Sequence, residues 1–364
     1  MKINKLAWNV FALFLFFAII LNSGCTYDYQ GGPAHLEPLE DGIAFEIKFL
    51  LDAEKVVNPD GSLKQEVMNF YNNALPWSGS LSQTLDNVNR DVIQQYVDTK
   101  NLELWGAGWI NRVRHHIYVR TGSSNTGDVQ LTYRKRINIG TGTTITEEMV
   151  QKAILQAKKE GTYQWAAASP GGLADNVEID WSYNSATLTL SRSYYGRFDH
   201  TEPRHNSLAG SKAWLINNFP YGSMVNFNLA NPRTDRINFE EWYIDKFERG
   251  VLYGPASIRR HRTRGSISEE DSLRLFGVEK VQRVDIDIEV MPVPGGYIVE
   301  LSSSGEIDSN PTDSEWLNFE QVVRLRQFMI DISNEAGYLI PENAFKTTVI
   351  LETMRQESGI NPED

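Results

Sequence analysis

Several things are scarce in this chain. Cysteine occurs once, at Cys25, so a disulfide-stapled scaffold is excluded. Positive charge is in deficit: 35 Lys and Arg stand against 47 Asp and Glu, for a formal net charge of −12. General nucleic-acid or anionic-membrane binding wants a basic footprint, so no nucleic-acid partner is expected. No apolar run long enough to span a bilayer follows residue 21, which excludes a multi-span helical membrane protein. Nucleophile and metalloprotease signatures are missing: there is no Gly-x-Ser-x-Gly and no His-Glu-x-x-His. Gly140-Thr141-Gly142 lacks the third glycine and the Lys-Ser/Thr pair of a phosphate loop. His200 and His205 share a polar loop with Asp199 and Glu202 but have no metalloprotease spacing. What remains, 41% hydrophobic and 23% charged over 364 residues, is ordinary globular composition.

The amino end is distinctive. Lys2 and Lys5 precede an apolar stretch over 6–21, shorter than the roughly 20 residues a spanning helix needs. It ends in Asn22-Ser23-Gly24-Cys25. Small residues before a cleavage point mark a secretory leader. A cysteine directly after Ser-Gly resembles the lipobox of bacterial lipoproteins, although Asn22 stands where that family prefers Leu. The resemblance implies cleavage after residue 24 and acylation of Cys25, palmitate included. The body would then be moored in a bacterial cell envelope, with the outer membrane the expected address. Stable anchoring needs more than one acyl chain, which a triacylated cysteine supplies. Residues 1–24 therefore read as a leader and 25–42, with Gly31-Gly32-Pro33 and Pro38, as a flexible tether.

Residues 43–364 read as one α+β body. Strand patterns cover 43–51, 112–121 with 129–139, 177–183 with 186–193, 257–264, and 284–292 with 297–302. The short reversals between them predict a mainly antiparallel sheet built from hairpins, curled or barrel-like, with several packed helices. Helices are expected after Ser62 (capped with Gln65), through Leu85, Val88, Val92 and Tyr96, after Thr144 (capped with Glu147) as far as Gly161, and along Val322, Leu325, Met329 and Ile332 to Gly337. A subdivision near Pro203–Gly210 is the one boundary on offer, and no linker marks it.

Charge gathers on single faces of these strands. Arg112, Arg114 and His116 alternate with Val113 and Ile117; Arg134 and Arg136 with Tyr133 and Ile137; Arg260 and Arg262 follow Ile258; and Asp285, Asp287 and Glu289 alternate with Ile286 and Ile288. Two arrangements fit. In one the charged faces meet water and basic strands pair with acidic ones, at roughly 0.2–1 kcal/mol per pair. In the other the sheet curls, arginines line a lumen that holds a polyanion, and the carboxylates hold a divalent cation.

The second arrangement is similar to the triphosphate tunnel (CYTH) family. Those proteins open with Glu-x-Glu-x-Lys, continue through Arg-bearing strands and close on an acidic hairpin and a helix. Ala44-Phe45-Glu46-Ile47-Lys48 occupies the opening, with Ala44 in place of the first acid. The resemblance implies a phosphate contact from Lys48 and metal ligands at Glu46 and Glu300. The charged strand faces add Arg134, Arg136, Arg260 and Arg262 to the polyanion contacts, and Asp285, Asp287 and Glu289 to the candidate Mg²⁺ or Mn²⁺ ligands. The leading reading of the sequence is nevertheless a lipid-anchored lipoprotein that binds a ligand or protein partner and does no chemistry, with the metal-dependent tunnel-type hydrolase or binder of triphosphate or polyphosphate as its alternative. Tryptophan pairs such as Trp105 and Trp109 allow a third reading, glycan recognition by exposed aromatics, against the alternative of core packing.

Overall fold

The first strand, β1 (Ile43–Leu51), hydrogen-bonds on both sides. It runs parallel to β5 (Val177–Trp181) and antiparallel to β9 (Gly296–Ile307). Between them in the chain lie β2 (Arg90–Thr99), β3 (Trp109–Tyr118), β4 (Thr126–Thr141), β6 (Ser185–Asp199), β7 (Gly250–Ile267) and β8 (Gln282–Val293). Their spatial order, β1-β5-β6-β4-β3-β2-β7-β8-β9, returns to β1 as a closed barrel, and every pair except β1–β5 is antiparallel. Closure removes both sheet edges. This is a computed structural model. It describes residues 39, 42–75, 90–118, 126–142, 144–168, 176–199, 215, 239–277, 282–293, 295–308, 317–341 and 346–357. The leader, Cys25, Leu85, Val88, the 203–210 stretch, His200 and His205 lie outside the described residues. All of these described residues fall in one unit, Pro38–Asp364.

Strand alternation sorts the side chains. One face carries Phe45, Ile47 and Phe49 on β1, Val113 on β3, Leu131 and Tyr133 on β4, Ile179 on β5, Leu188 on β6 and Ile288 on β8, all buried in the main core. This is the outer face of the barrel, and helices cover it. The described residues hold helices α1 (Ala53–Val56), α2 (Gln65–Ala74), α3 (Glu103–Gly106), α4 (Glu147–Glu160), α5 (Thr162–Ala167), α6 (Phe239–Glu248), α7 (Glu269–Phe276), α8 (Phe319–Glu335) and α9 (Lys346–Glu357), the last of which packs on the inner face instead. The predicted stripe on α8 is buried through Val322, Leu325 and Met329. That helix opens on a reciprocal capping box between Asn318 and Gln321. Helix α4 stops at Gly161, whose φ of 76° suits a residue without Cβ. Leu39, within the predicted tether, is buried in this core.

Three local expectations are corrected. The stretch holding Val92 and Tyr96 is strand β2, not helix. Helix α2 is capped at Lys64 rather than Ser62, whose hydroxyl is held by Asp60 in the preceding turn. Helix α4 is capped by Thr146, whose side chain accepts from the Met149 amide, two residues beyond the predicted Thr144.

A second, smaller apolar cluster joins Leu50, Tyr96, Ile110, Tyr253, Met291 and Ile298 to Ile350 and Leu351 of α9. Its strand members all belong to the inner face by register: Tyr96 pairs with Tyr253 and Arg112, Met291 with Ile298, and Leu50 with Glu300. The barrel is therefore apolar inside at one level, where α9 packs, and charged elsewhere.

Candidate functional site

The inner face follows from the register. From β8 through β9 and β1 to β5, four adjacent strands bring Asp287 and Glu289, Glu300, Glu46 with Lys48, and Glu178 with Asp180 to one side. From β4 to β3, Arg134 and Arg136 stand beside Arg112 and Arg114, with Thr189 and Ser191 of β6 between the two arcs. The lumen is thus acidic along one arc and basic along the other. A cavity of about 130 Å³ is lined by Glu46, Lys48, Arg112, Arg114, Arg134 and Arg136, with Glu289, Glu300, Tyr96 and Thr347 completing it. The reading in which the charged faces meet water is overturned. These strands turn their charge inward because the outer face carries the larger apolar area and the helices bury that face.

At the acidic wall, Lys48 Nζ lies 2.5 Å from Glu46 and 2.6 Å from Asp180 Oδ1. Asp180 is fully buried; its other oxygen accepts from Thr189 Oγ1 at 2.6 Å and lies 3.6 Å from Arg136. Arg134 stands 4.0 Å from Glu178. Burial works against the charge on Asp180, but Lys48, Arg136 and Arg134 outweigh it and hold the carboxyl far below its usual range. Burial likewise opposes ionisation of Glu46, and Lys48 outweighs it. Glu178 goes the other way: burial, then the charges of Asp180 and Glu46, push it well above the usual carboxylate value. Lys48 is held in its charged form by Asp180 and Glu46 against the cost of burial.

On the basic wall Arg134 and Arg136 face Glu178 and Asp180, and Arg112 stands apart from them. Arg112 is 7% exposed. Its one hydrogen bond is long, 3.4 Å from Nη2 to Thr132 Oγ1, and its Nε makes none. Among the described residues no carboxylate forms an ion pair with it. Burial, then Arg114 and Arg134, press its pKa well below the usual value. Arg136 stacks over Trp105, 5.3 Å from the ring centroid.

Of the predicted phosphate-contacting residues, Lys48, Arg134 and Arg136 line the cavity. Arg260 and Arg262 are placed by register opposite Glu289 and Asp287, which puts them on the inner face; their side chains lie outside the described residues. Of the predicted metal ligands, Glu46, Glu289 and Glu300 line the cavity, and Asp287 is buried on the same face. Asp285 pairs with Ser304 and Arg264 by register, and its side chain is likewise outside the described residues. The carboxylates brought closest together are a different set. Glu46, Glu178 and Asp180 each offer an oxygen within 4.8 Å of the other two. Glu178 and Asp180 were not predicted. Their signal was present, since two acids alternate with Val177, Ile179 and Trp181. Arg112 and Arg114 were seen as a charged face but not singled out as ligand contacts. Trp109, Trp165 and Trp181 are fully buried, so these three form no glycan platform.

No protein-family model and no curated protein matches this chain. Among solved structures it is similar to a Hippeastrum protein termed an adenylyl cyclase and credited with a dominant triphosphatase activity. That match has 11% identity and a TM-score of 0.33, and it covers 86% of this chain and 95% of the other. It is also similar to a Bacillus halodurans protein termed an adenylate cyclase, at 11% identity and a TM-score of 0.31, covering 81% of this chain and 92% of the other. Overlap at this level leaves the chemistry to be read from the lumen.

Proposed function

We propose that the lumen binds a triphosphate-class anion, inorganic triphosphate or polyphosphate, together with Mg²⁺ or Mn²⁺, and supports hydrolysis of its phosphoanhydride. The observation that carries this reading is Arg112, a buried guanidinium with no ion-pair partner among the described residues, set among Arg114, Arg134 and Arg136. Burying such a group without compensation is costly. A chain of phosphates supplies negative oxygens at the spacing of several guanidinium forks, and charge-assisted bonds of this type are the strong ones. The acidic arc suits a hard divalent cation, whose ligands are carboxylate oxygens. Such a cation, when bound, polarises a phosphoryl oxygen and neutralises charge that develops on it. The arginines orient the chain, and Lys48 adds a positive charge at the acidic wall. The inward-facing charge favours this reading over a partner-binding lipoprotein without chemistry. The same reading takes the barrel to be moored to a membrane through an acylated Cys25.

The test is thermal unfolding with tripolyphosphate, with and without Mg²⁺, followed by assay of released phosphate. A ligand at about 100 times its Kd stabilises by roughly 2.7 kcal/mol, which raises Tm by several degrees in a protein of this size. An unchanged Tm at millimolar tripolyphosphate, with or without Mg²⁺, overturns the reading.

A further inference from the structure

Given the lumen reading above, on which this rests, we propose that Trp105 is a positioning residue for the anion. Its ring, which does not itself line the cavity, sets the plane of the Arg136 guanidinium, and the β2–β3 turn is built to hold the ring there.

The turn comes first. Strands β2 and β3 are an antiparallel pair, which two residues suffice to reverse. Residues 100–108 do more than reverse it. Leu102 sits at a φ of 55°, the one positive value at a non-glycine among the described residues, and a side chain with a Cβ adopts it at a cost. The Asp98 carboxylate gathers the amides of Thr99, Leu104 and Trp105 at 2.7, 2.9 and 2.8 Å. The turn ends on Gly108, where a Cβ would stand 2.6 Å from the Arg136 carbonyl oxygen. With only a hydrogen there, the Gly108 carbonyl accepts from the Arg136 amide at 2.7 Å. The neighbouring Ala107 carbonyl accepts from Lys135 Nζ at 2.6 Å. The turn thus grips β4 at residues 135 and 136 and delivers the Trp105 ring to Arg136, with 5.3 Å between ring centroid and guanidinium carbon. From outside, Lys246 of α6 holds Glu103 of the same turn at 2.7 Å.

A guanidinium can be held by its edge or by its face. Asp180 meets the edge of Arg136 loosely, at 3.6 Å, and gives its short contacts to Lys48 and Thr189. The indole meets the face. Arginine carries its five N–H donors in one plane, so stacking fixes that plane without consuming a donor. Face contact is therefore the way to fix an arginine whose donors serve a ligand. Arg136 lines the cavity with Arg112, Arg114 and Arg134, and bidentate bonding to a phosphate depends on how the fork is turned.

The test is calorimetric titration of sodium tripolyphosphate into the detergent-solubilised full chain, with and without Mg²⁺. Trp105→Leu is expected to weaken binding about tenfold, the size of a desolvated cation–π contact. Trp105→Phe keeps a ring face and is expected to stay within about threefold of wild type. A double-mutant cycle separates positioning from packing. In an Arg136→Lys background, where a point charge replaces the planar fork, Trp105→Leu should cost less than about twofold. Trp105→Met gives a second reading, with the same expectation, should Trp105→Leu fold poorly. Three results overturn the assignment and leave the anion site standing. One is wild-type affinity in Trp105→Leu. Another is an equal loss in Trp105→Leu and Trp105→Phe, which marks the indole as filler. The third is a tenfold loss that persists in the Arg136→Lys background. A wild-type chain that binds no tripolyphosphate removes the lumen reading itself, and this assignment with it.

Discussion

Lys48 and Asp180 come from strands that run side by side in parallel, and their charged atoms meet 2.6 Å apart inside the barrel. The Lys48 side chain is 11% exposed and the Asp180 side chain not at all. Removing one member of a buried pair costs about 3–5 kcal/mol, an upper bound here because Arg136 and Thr189 still face Asp180. Lys48→Met is therefore expected to lower stability by that order in the absence of ligand, measured by urea unfolding. The loss should shrink below the acid range. Asp180 is held below its usual pKa, so the stability it contributes is present above the unfolded carboxylate pKa and fades only as pH falls through the depressed one. A variant within 1 kcal/mol of wild type at neutral pH would show the pair to be a passive contact.

Asp98 gives a pH dependence of opposite sign. Its carboxylate accepts from the amides of Thr99, Leu104 and Trp105 at 2.7 to 2.9 Å, which starts α3. Burial nevertheless outweighs those bonds and raises it from 3.8 to about 6. The folded state thus favours the protonated acid. That contribution is complete below pH 3.8 and is lost as pH climbs to about 6. Relative to Asp98→Asn, wild type should lose stability over this interval and run parallel to the variant above it. A constant difference across pH 4 to 7 in urea melts would contradict the shift.

Much of the barrel was legible in the sequence because its strands alternate cleanly: Val113 and Arg114, Tyr133 and Arg134, Ile288 and Glu289. The strand pairs that close it were not, since they depend on Ala44 finding Glu178 and Ile43 finding Ile307 across the length of the chain. The β2 error has a physical cause. Gln94 and Gln95 are both fully buried, one on each face, so polarity does not alternate there, and Val92 and Tyr96 keep a spacing that a helix also allows. The site was half visible for a related reason. A barrel that is polar within and jacketed by helices without buries both faces of its strands. Charge pattern then tells which face is which, but not whether that face meets water. Glu178 and Asp180 were passed over because the opening motif drew the metal assignment to β1 and the closing hairpin.

The proposed mooring at Cys25 makes its own prediction. Labelled palmitate should enter the wild-type chain and fractionate with the envelope, while Cys25→Ser should take up no label and be released as a soluble protein. Label retained by Cys25→Ser would place acylation elsewhere and remove the lipobox reading, with no consequence for the barrel.

Arg112 separates stability from function. In the ligand-free protein it contributes an uncompensated charge beside Arg114 and Arg134, and burial disfavours its ionised form. Replacing a whole buried ion pair by apolar side chains is often neutral or stabilising by about 1–4 kcal/mol, and a buried charge without a pair has less attraction to lose. Arg112→Met is therefore expected to melt higher than wild type in EDTA, and to lose most of the Tm rise that tripolyphosphate produces. Both halves are needed. A variant that melts lower would show that the guanidinium is already satisfied within the fold, by Thr132 and the field of Glu289. A variant that melts higher yet keeps the full ligand shift would show that Arg112 is merely tolerated. Only the combination, more stable and less responsive, marks a residue kept at a cost to the fold because it meets an anion from outside.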